Sequence, residues 1–168
     1  RGAVDYLSAA WEGAQGYRRD RAEGQPVRLE VWAEAVGMMP QLATVARDYG
    51  ATVYAWGGQA RLTAKHDAAA RILEADRPTA AFFVGDLAAH GLSIMDAAAE
   101  DVRAFLAAEA DRLRITWLAV KPGQVEAYGL PRSPFKSTVK GGKKAPGLRL
   151  AYSVQAEALD PPNLAAIL

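Results

Sequence analysis

The sequence predicts an α/β fold: a mainly parallel sheet of about four strands with helices on both faces. Three observations carry this reading. Short apolar runs alternate with helical patterns in the order β-α-β-α-β-α-β. Two of the runs end in an acid, Glu34 after residues 27–33 and Asp86 after residues 79–85. Strands joined by helices pair in parallel through right-handed crossovers, which makes a Rossmann-like layering the natural topology.

Residues 3–22 carry an apolar stripe at helical spacing (Val4, Leu7, Trp11) and end in the polar run Tyr17-Arg18-Arg19-Asp20-Arg21. Gly24-Gln25-Pro26 is a linker. Residues 1–24 are thus read as an N-terminal helix and linker, and residues 25–168 as the domain. Its first strand, 27–33, is followed by a helix over 38–49, with Met39, Leu42, Val45 and Ala46 on one face and a stop near Gly50. A strand over 52–56 runs into Gly57-Gly58. A helix over 61–75 places Leu62, Lys65, Ala69, Ile72 and Leu73 in register. Pro78 opens the strand 79–84. A helix over 91–111 aligns Ile94, Ala98, Val102, Phe105 and Leu106. The strand 114–120 precedes Lys121-Pro122-Gly123 and a short helix near 123–128. Residues 131–149 then hold three Pro and three Gly with no acid, and their basic part, 136–149, reads as a mobile loop. Asp160-Pro161-Pro162 has the form of an N-cap with Pro at the first helical position, opening a last helix over 161–168.

Bulk properties narrow the classes. The chain has 168 residues, enough for one domain with a real core. Its net charge is +1 (20 − 19), so it lacks the global basic field of many nucleic-acid binders. It has no cysteine, which excludes disulfides, thiolate metal sites and cysteine nucleophiles and points to the cytoplasm. No apolar run reaches the roughly 20 residues that span a membrane. No signal peptide is visible, and a start at Arg1 inside a helical pattern suggests a fragment of a longer protein.

In an open α/β sheet, ligands bind at the carboxyl ends of the strands. Glu34 and Asp86 both belong at that edge, and two carboxylates brought together there suit a hard cation such as Mg²⁺. The bland alternative is that each acid caps a helix N-terminus, where the dipole favours negative charge.

The order of motifs resembles the Toprim domain, shared by topoisomerases, primases, some nucleases and the Spo11-like and type VI topoisomerase catalytic subunits. The resemblance is closest to Spo11-like Toprim cores of uncharacterised bacterial and phage-type proteins. It rests on Glu-Val-Trp-Ala-Glu34, Tyr49-Gly50, Tyr54 with Gly57-Gly58, Val84-Gly85-Asp86 and Gly91. A GGxxSLT stretch of those proteins is matched by Gly57-Gly58-Gln59-Ala60-Arg61-Leu62-Thr63. A GDHDPSG stretch is matched by Gly85-Asp86-Leu87-Ala88-Ala89-His90-Gly91, and P-x-K-x-T-D by Pro134-Phe135-Lys136-Ser137-Thr138-Val139. Glu157-Ala158-Leu159-Asp160-Pro161-Pro162 matches the E-A-L-P-P tail, so the resemblance covers about residues 17–168.

The resemblance implies a Mg²⁺ site with Glu34 as ligand or general acid/base and Asp86 as ligand. It also implies departures at that site. The second Asp of the Asp-x-Asp pair is Ala88, the Asp after Lys-Thr is Val139, and the Ser of the glycine turn is Arg61. Two carboxylates can hold one Mg²⁺ weakly, whereas a two-metal phosphoryl-transfer site needs more. The implied function is a degenerate Toprim-like module of a DNA-processing protein that binds nucleic acid or a partner protein. Mg²⁺-dependent nuclease or topoisomerase chemistry is the alternative. Lys136, Lys140, Lys143, Lys144 and Arg149 are the candidate phosphate contacts. DNA, a partner protein and a second copy of the chain remain open as partners, and a membrane does not. The tyrosine nucleophile of Spo11-like relatives sits in a separate domain, and Tyr17, Tyr54, Tyr128 and Tyr152 show no motif. Glu157 can approach the same edge but reads more simply as a solvated residue. His90 reads as a loop histidine and His66 as a surface one. Trp32, Trp56 and Trp117 read as core, with Trp56 the one placed to stack on a base if exposed.

Overall fold

The structure is a computed structural model and describes residues 2–16, 21–56, 62–134 and 151–168, with the side chains at 15, 16 and 89–94 left aside. The domain is a four-stranded, all-parallel sheet of β1 (Arg28–Ala33), β2 (Thr52–Ala55), β3 (Thr79–Val84) and β4 (Leu113–Ala119), in the order β2-β1-β3-β4. Each strand lies within one residue of its expected position. The helices are α1 (Ala3–Gly16), α2 (Met39–Ala46), α3 (Leu62–Glu74), α4 (Ala89–Leu106), α5 (Pro122–Ala127) and α6 (Pro161–Ile167). A two-stranded antiparallel ribbon, β5 (Ser133–Pro134) with β6 (Tyr152–Ser153), lies apart from the main sheet.

Side chains alternate across the sheet, as strand geometry requires. On one face Val31, Ala33 and Val84 pack with Leu42 and Ala46 of α2, Val125 of α5 and Leu164 of α6. On the other, Trp32, Ala81 and Phe83 pack under Ala68, Ala69 and Ile72 of α3 and Ala98, Val102 and Leu106 of α4. The two helix sets take opposite faces because the crossovers run in opposite directions. From β1 the chain moves outward to β2, whereas from β3 it moves the other way to β4. Right-handed connections then force the intervening helices onto opposite sides.

Several local details differ from expectation. The helix expected over 38–49 keeps α geometry only over Met39–Ala46, with 3₁₀ turns at Val36–Met38 and Arg47–Tyr49. It ends at Gly50, whose φ of 68° is left-handed and whose added Cβ would lie 2.8 Å from the Ala22 nitrogen. The helix expected over 91–111 gives way after Leu106 to a 3₁₀ stretch, Ala107–Arg112. Leu62, Leu73 and Phe105 were expected on packed faces and are exposed. The α1 stripe of Val4, Leu7 and Trp11 faces solvent as well. The expected cap of the last helix is present: Asp160 Oδ1 accepts the Asn163 N–H at 2.9 Å.

Candidate site at the carboxyl edge of the sheet

The strand order creates a topological switch point between β1 and β3, where successive crossovers diverge and leave a crevice. Glu34 directly follows β1, and Asp86 follows β3 after Gly85. The ladder continues past the strand ends and fixes both residues. Glu34 N–H donates to the Val84 carbonyl at 2.9 Å, and Gly85 N–H donates to the Ala119 carbonyl at 2.8 Å. Both acids are half-buried.

The two acids are linked. Glu34 Oε2 accepts the backbone N–H of Asp86 at 3.0 Å. Gly85 permits this approach, because a Cβ there would lie 2.5 Å from Glu34 Oε2 and 2.5 Å from the Phe83 ring. Asp86 Oδ1 in turn accepts the Ala156 N–H at 2.8 Å. That amide opens the 3₁₀ turn Ala156–Ala158, so among the described residues the carboxylates serve β3 and the C-terminal segment. Asp86 thus takes the first amide of a 3₁₀ turn reached across the sheet end, whereas Glu34 takes the Asp86 amide of the neighbouring strand. The C-terminal segment reaches the edge by pairing Leu87 with Val154, through N–H···O bonds of 2.9 and 3.1 Å.

Burial holds the Asp86 carboxyl above its ordinary value of 3.8. The Ala156 N–H works the other way by stabilising the carboxylate, and the negative charge of Glu157 adds to the rise. Glu157 is exposed, as expected, yet it stands close enough to act on Asp86. Sequence spacing alone hid this, because the approach depends on the Leu87–Val154 pairing across 67 positions of chain.

As a donor set, the edge offers two half-buried carboxylates whose negative charge is reinforced by a third acid nearby. Were a divalent cation held at this edge, Glu34 and Asp86 would be its protein ligands, with water or phosphate oxygens completing the shell. Ala88, the N-cap residue of α4, brings a methyl group where the resemblance places an acid. Among the described residues no group of three His, Asp or Glu side chains could hold a metal ion.

The remaining candidates divide. Lys136, Lys140, Lys143, Lys144, Arg149 and Val139 lie outside the described residues, as do Gly57, Gly58 and Arg61, and the His90 side chain is likewise not described. The anchors of the basic stretch are described: Pro134 pairs with Tyr152, two residues before Val154 meets Leu87. Arg132 steadies this ribbon through an ion pair with Glu126 and a position 4.7 Å over the Tyr152 ring. The stretch therefore leaves and rejoins the fold beside the acidic edge. Trp56 is 2% exposed and stacks on Trp32 at 4.2 Å, which removes it as a base-stacking residue. His66 is at the surface, edge-on to Phe105.

One charged group escaped the sequence reading. Glu30, inside β1, is 0% exposed. Its Oε2 accepts the Trp32 indole N–H at 2.8 Å and lies 3.5 Å from Arg71, while Oε1 lies 3.2 Å from Arg28. Arg71 also covers the Tyr54 ring at 3.8 Å. The available signal was its even spacing with Trp32 on the face that α3 covers. No family model, curated protein or solved structure matches the chain.

Proposed function

We propose that this chain is a degenerate Toprim-like module of a DNA-processing protein, binding nucleic acid beside an acidic edge that has little or no catalytic capacity of its own. The observation that carries this reading is the pair of bonds at the switch point. Glu34 holds the Asp86 amide at 3.0 Å, and Asp86 holds the Ala156 amide at 2.8 Å. Both acids are thus engaged in fixing the strand ends and the C-terminal segment. Phosphoryl transfer through bridging cations needs further carboxylates, and position 88 is alanine. The basic stretch supplies lysines for phosphate, rooted next to this edge.

The test is binding and cleavage measured together. Fluorescence anisotropy with a DNA duplex is expected to show salt-sensitive binding that weakens when Lys136, Lys140, Lys143 and Lys144 are changed to Ala. The affinity should fall with salt by a slope of about −0.9 per phosphate neutralised. Plasmid incubated with Mg²⁺ is expected to stay intact. Binding unaffected by all four substitutions would overturn the nucleic-acid reading.

The second reading is a Mg²⁺-dependent phosphodiester-cleaving enzyme using Glu34 and Asp86. Its support is electrostatic: burial and Glu157 both disfavour the ionised form of Asp86, and a cation would relieve exactly that charge. Cleavage by the unmodified chain, abolished by Glu34→Ala, would establish this reading and displace the first.

A further inference from the structure

Two neighbouring residues at the end of β3 hold the segment by which the chain returns from its basic stretch. Pro134 and Tyr152, paired in the β5–β6 ribbon, flank the stretch that carries Lys136, Lys140, Lys143, Lys144 and Arg149 and no acid. The ribbon is separate from the main sheet, so its place on the domain depends on what its two ends are tied to. Beyond Tyr152, Val154 exchanges two backbone hydrogen bonds with Leu87, at 2.9 and 3.1 Å. Ala156 then donates its N–H to Asp86 Oδ1 at 2.8 Å.

We infer that Asp86 is a positioning residue for nucleic-acid binding, acting through the Ala156 amide to fix the returning root of the basic stretch at the carboxyl edge. This rests on the nucleic-acid reading above. Val154 is 1% exposed and Ala156 0%. A buried amide has little water to turn to, so losing its acceptor leaves the donor unpaired. The Leu87–Val154 bonds are backbone to backbone, whereas the Asp86 tie is made by a side chain and is open to substitution. By charge alone, a carboxylate beside a phosphate-binding root works against the phosphate. What Asp86 contributes there is therefore an acceptor atom, and the carboxamide of asparagine supplies the same atom without the charge.

This separates the tie from electrostatics. Asp86→Asn and Asp86→Ala remove the same charge, and only alanine removes the acceptor. A single hydrogen bond shifts an equilibrium between fixed and released roots by about fivefold. Apparent affinity falls with the fraction held in the competent arrangement, so the alanine variant should bind duplex DNA roughly threefold to tenfold more weakly than the asparagine variant.

Fluorescence anisotropy with one DNA duplex at fixed salt, run on the whole chain, tests this alongside hydrogen exchange at the Ala156 amide. The expected result is faster exchange and weaker binding for Asp86→Ala than for Asp86→Asn. Ala156→Pro removes the donor from the other side of the tie and should weaken binding as Asp86→Ala does; it decides the matter if the alanine variant fails to fold. The extended Gln155 that precedes it and the first position of the 3₁₀ turn both accept proline. Equal affinity of the alanine and asparagine variants, with the change of all four lysines still weakening binding, would overturn this inference and leave the nucleic-acid reading standing. Unchanged exchange at Ala156 in Asp86→Ala would overturn it too. An unmodified chain that binds no duplex would overturn both.

Discussion

Two acids on one strand exit and interior, Glu30 and Glu34, are four residues apart and live under opposite regimes. Glu30 is fully buried, and the protein neutralises it with Arg28, Arg71 and the Trp32 indole. Glu34 belongs to the edge where a carboxylate holds an amide, and where Asp86 feels burial and the like charge of Glu157. The interior acid is charge-balanced by its own fold and does structural work. At the edge, Asp86 instead feels burial and the like charge of Glu157, at the place where the topology opens a crevice. A carboxylate's role is thus set by what surrounds it, even within a few residues of the same strand.

The largest expected effect falls on the interior acid. Glu30→Gln leaves Arg28 and Arg71 without their charge partner. Breaking a buried pair by removing one partner costs about 3–5 kcal/mol, and the partial exposure of both arginines places this case near about 3 kcal/mol. Urea denaturation checks it. Glu34→Gln, which keeps an oxygen for the Asp86 amide, should cost less than about 1 kcal/mol. Equal losses at the two positions would dissolve the contrast.

Next is Gly85→Ala. The new methyl collides with Glu34 Oε2 and the Phe83 ring. Overpacking of this kind costs about 1–3 kcal/mol. It should also displace the Glu34 carboxylate and free the Asp86 amide, which hydrogen exchange at that amide would report as faster.

The effect of Asp86→Asn is smaller and depends on pH. Folded Asp86 binds its proton more tightly than the unfolded chain does. Its contribution to stability is intact below 3.8 and is lost as pH rises through the raised folded value. Asparagine keeps Oδ1 for the Ala156 N–H and sheds the charge. Thermal melts are therefore expected to show stabilisation at neutral pH and none well below 3.8. A destabilised variant at neutral pH would mean that the ionised form is the one the fold prefers.

Much of this layout was legible in the sequence. The strands could be read because each is a short apolar run between turn signals, and the acids at their ends follow from chain position. Asp160 was legible as a cap because its residue type and the prolines after it share one local mechanism. Glu30 was not, because burial of a charge depends on Arg71 arriving from α3, a contact 41 positions away. The exposure of Leu62, Leu73 and Phe105 was missed for a related reason: helical spacing says which residues share a face, and only the packing of α3 against α4 says how wide that face is. The Glu157–Asp86 proximity required the Leu87–Val154 pairing, which no local pattern encodes.

We propose that the acidic edge falls short of a working metal centre because position 88 lacks a carboxylate. Isothermal titration of Mn²⁺ into the unmodified chain and into Ala88→Asp tests it most directly. Weak or undetectable heat is expected for the unmodified chain, with a tenfold or greater gain in affinity for the variant, about 1.4 kcal/mol. Equal affinity in the two proteins would contradict it, and would place residue 88 outside the reach of the edge formed by Glu34 and Asp86.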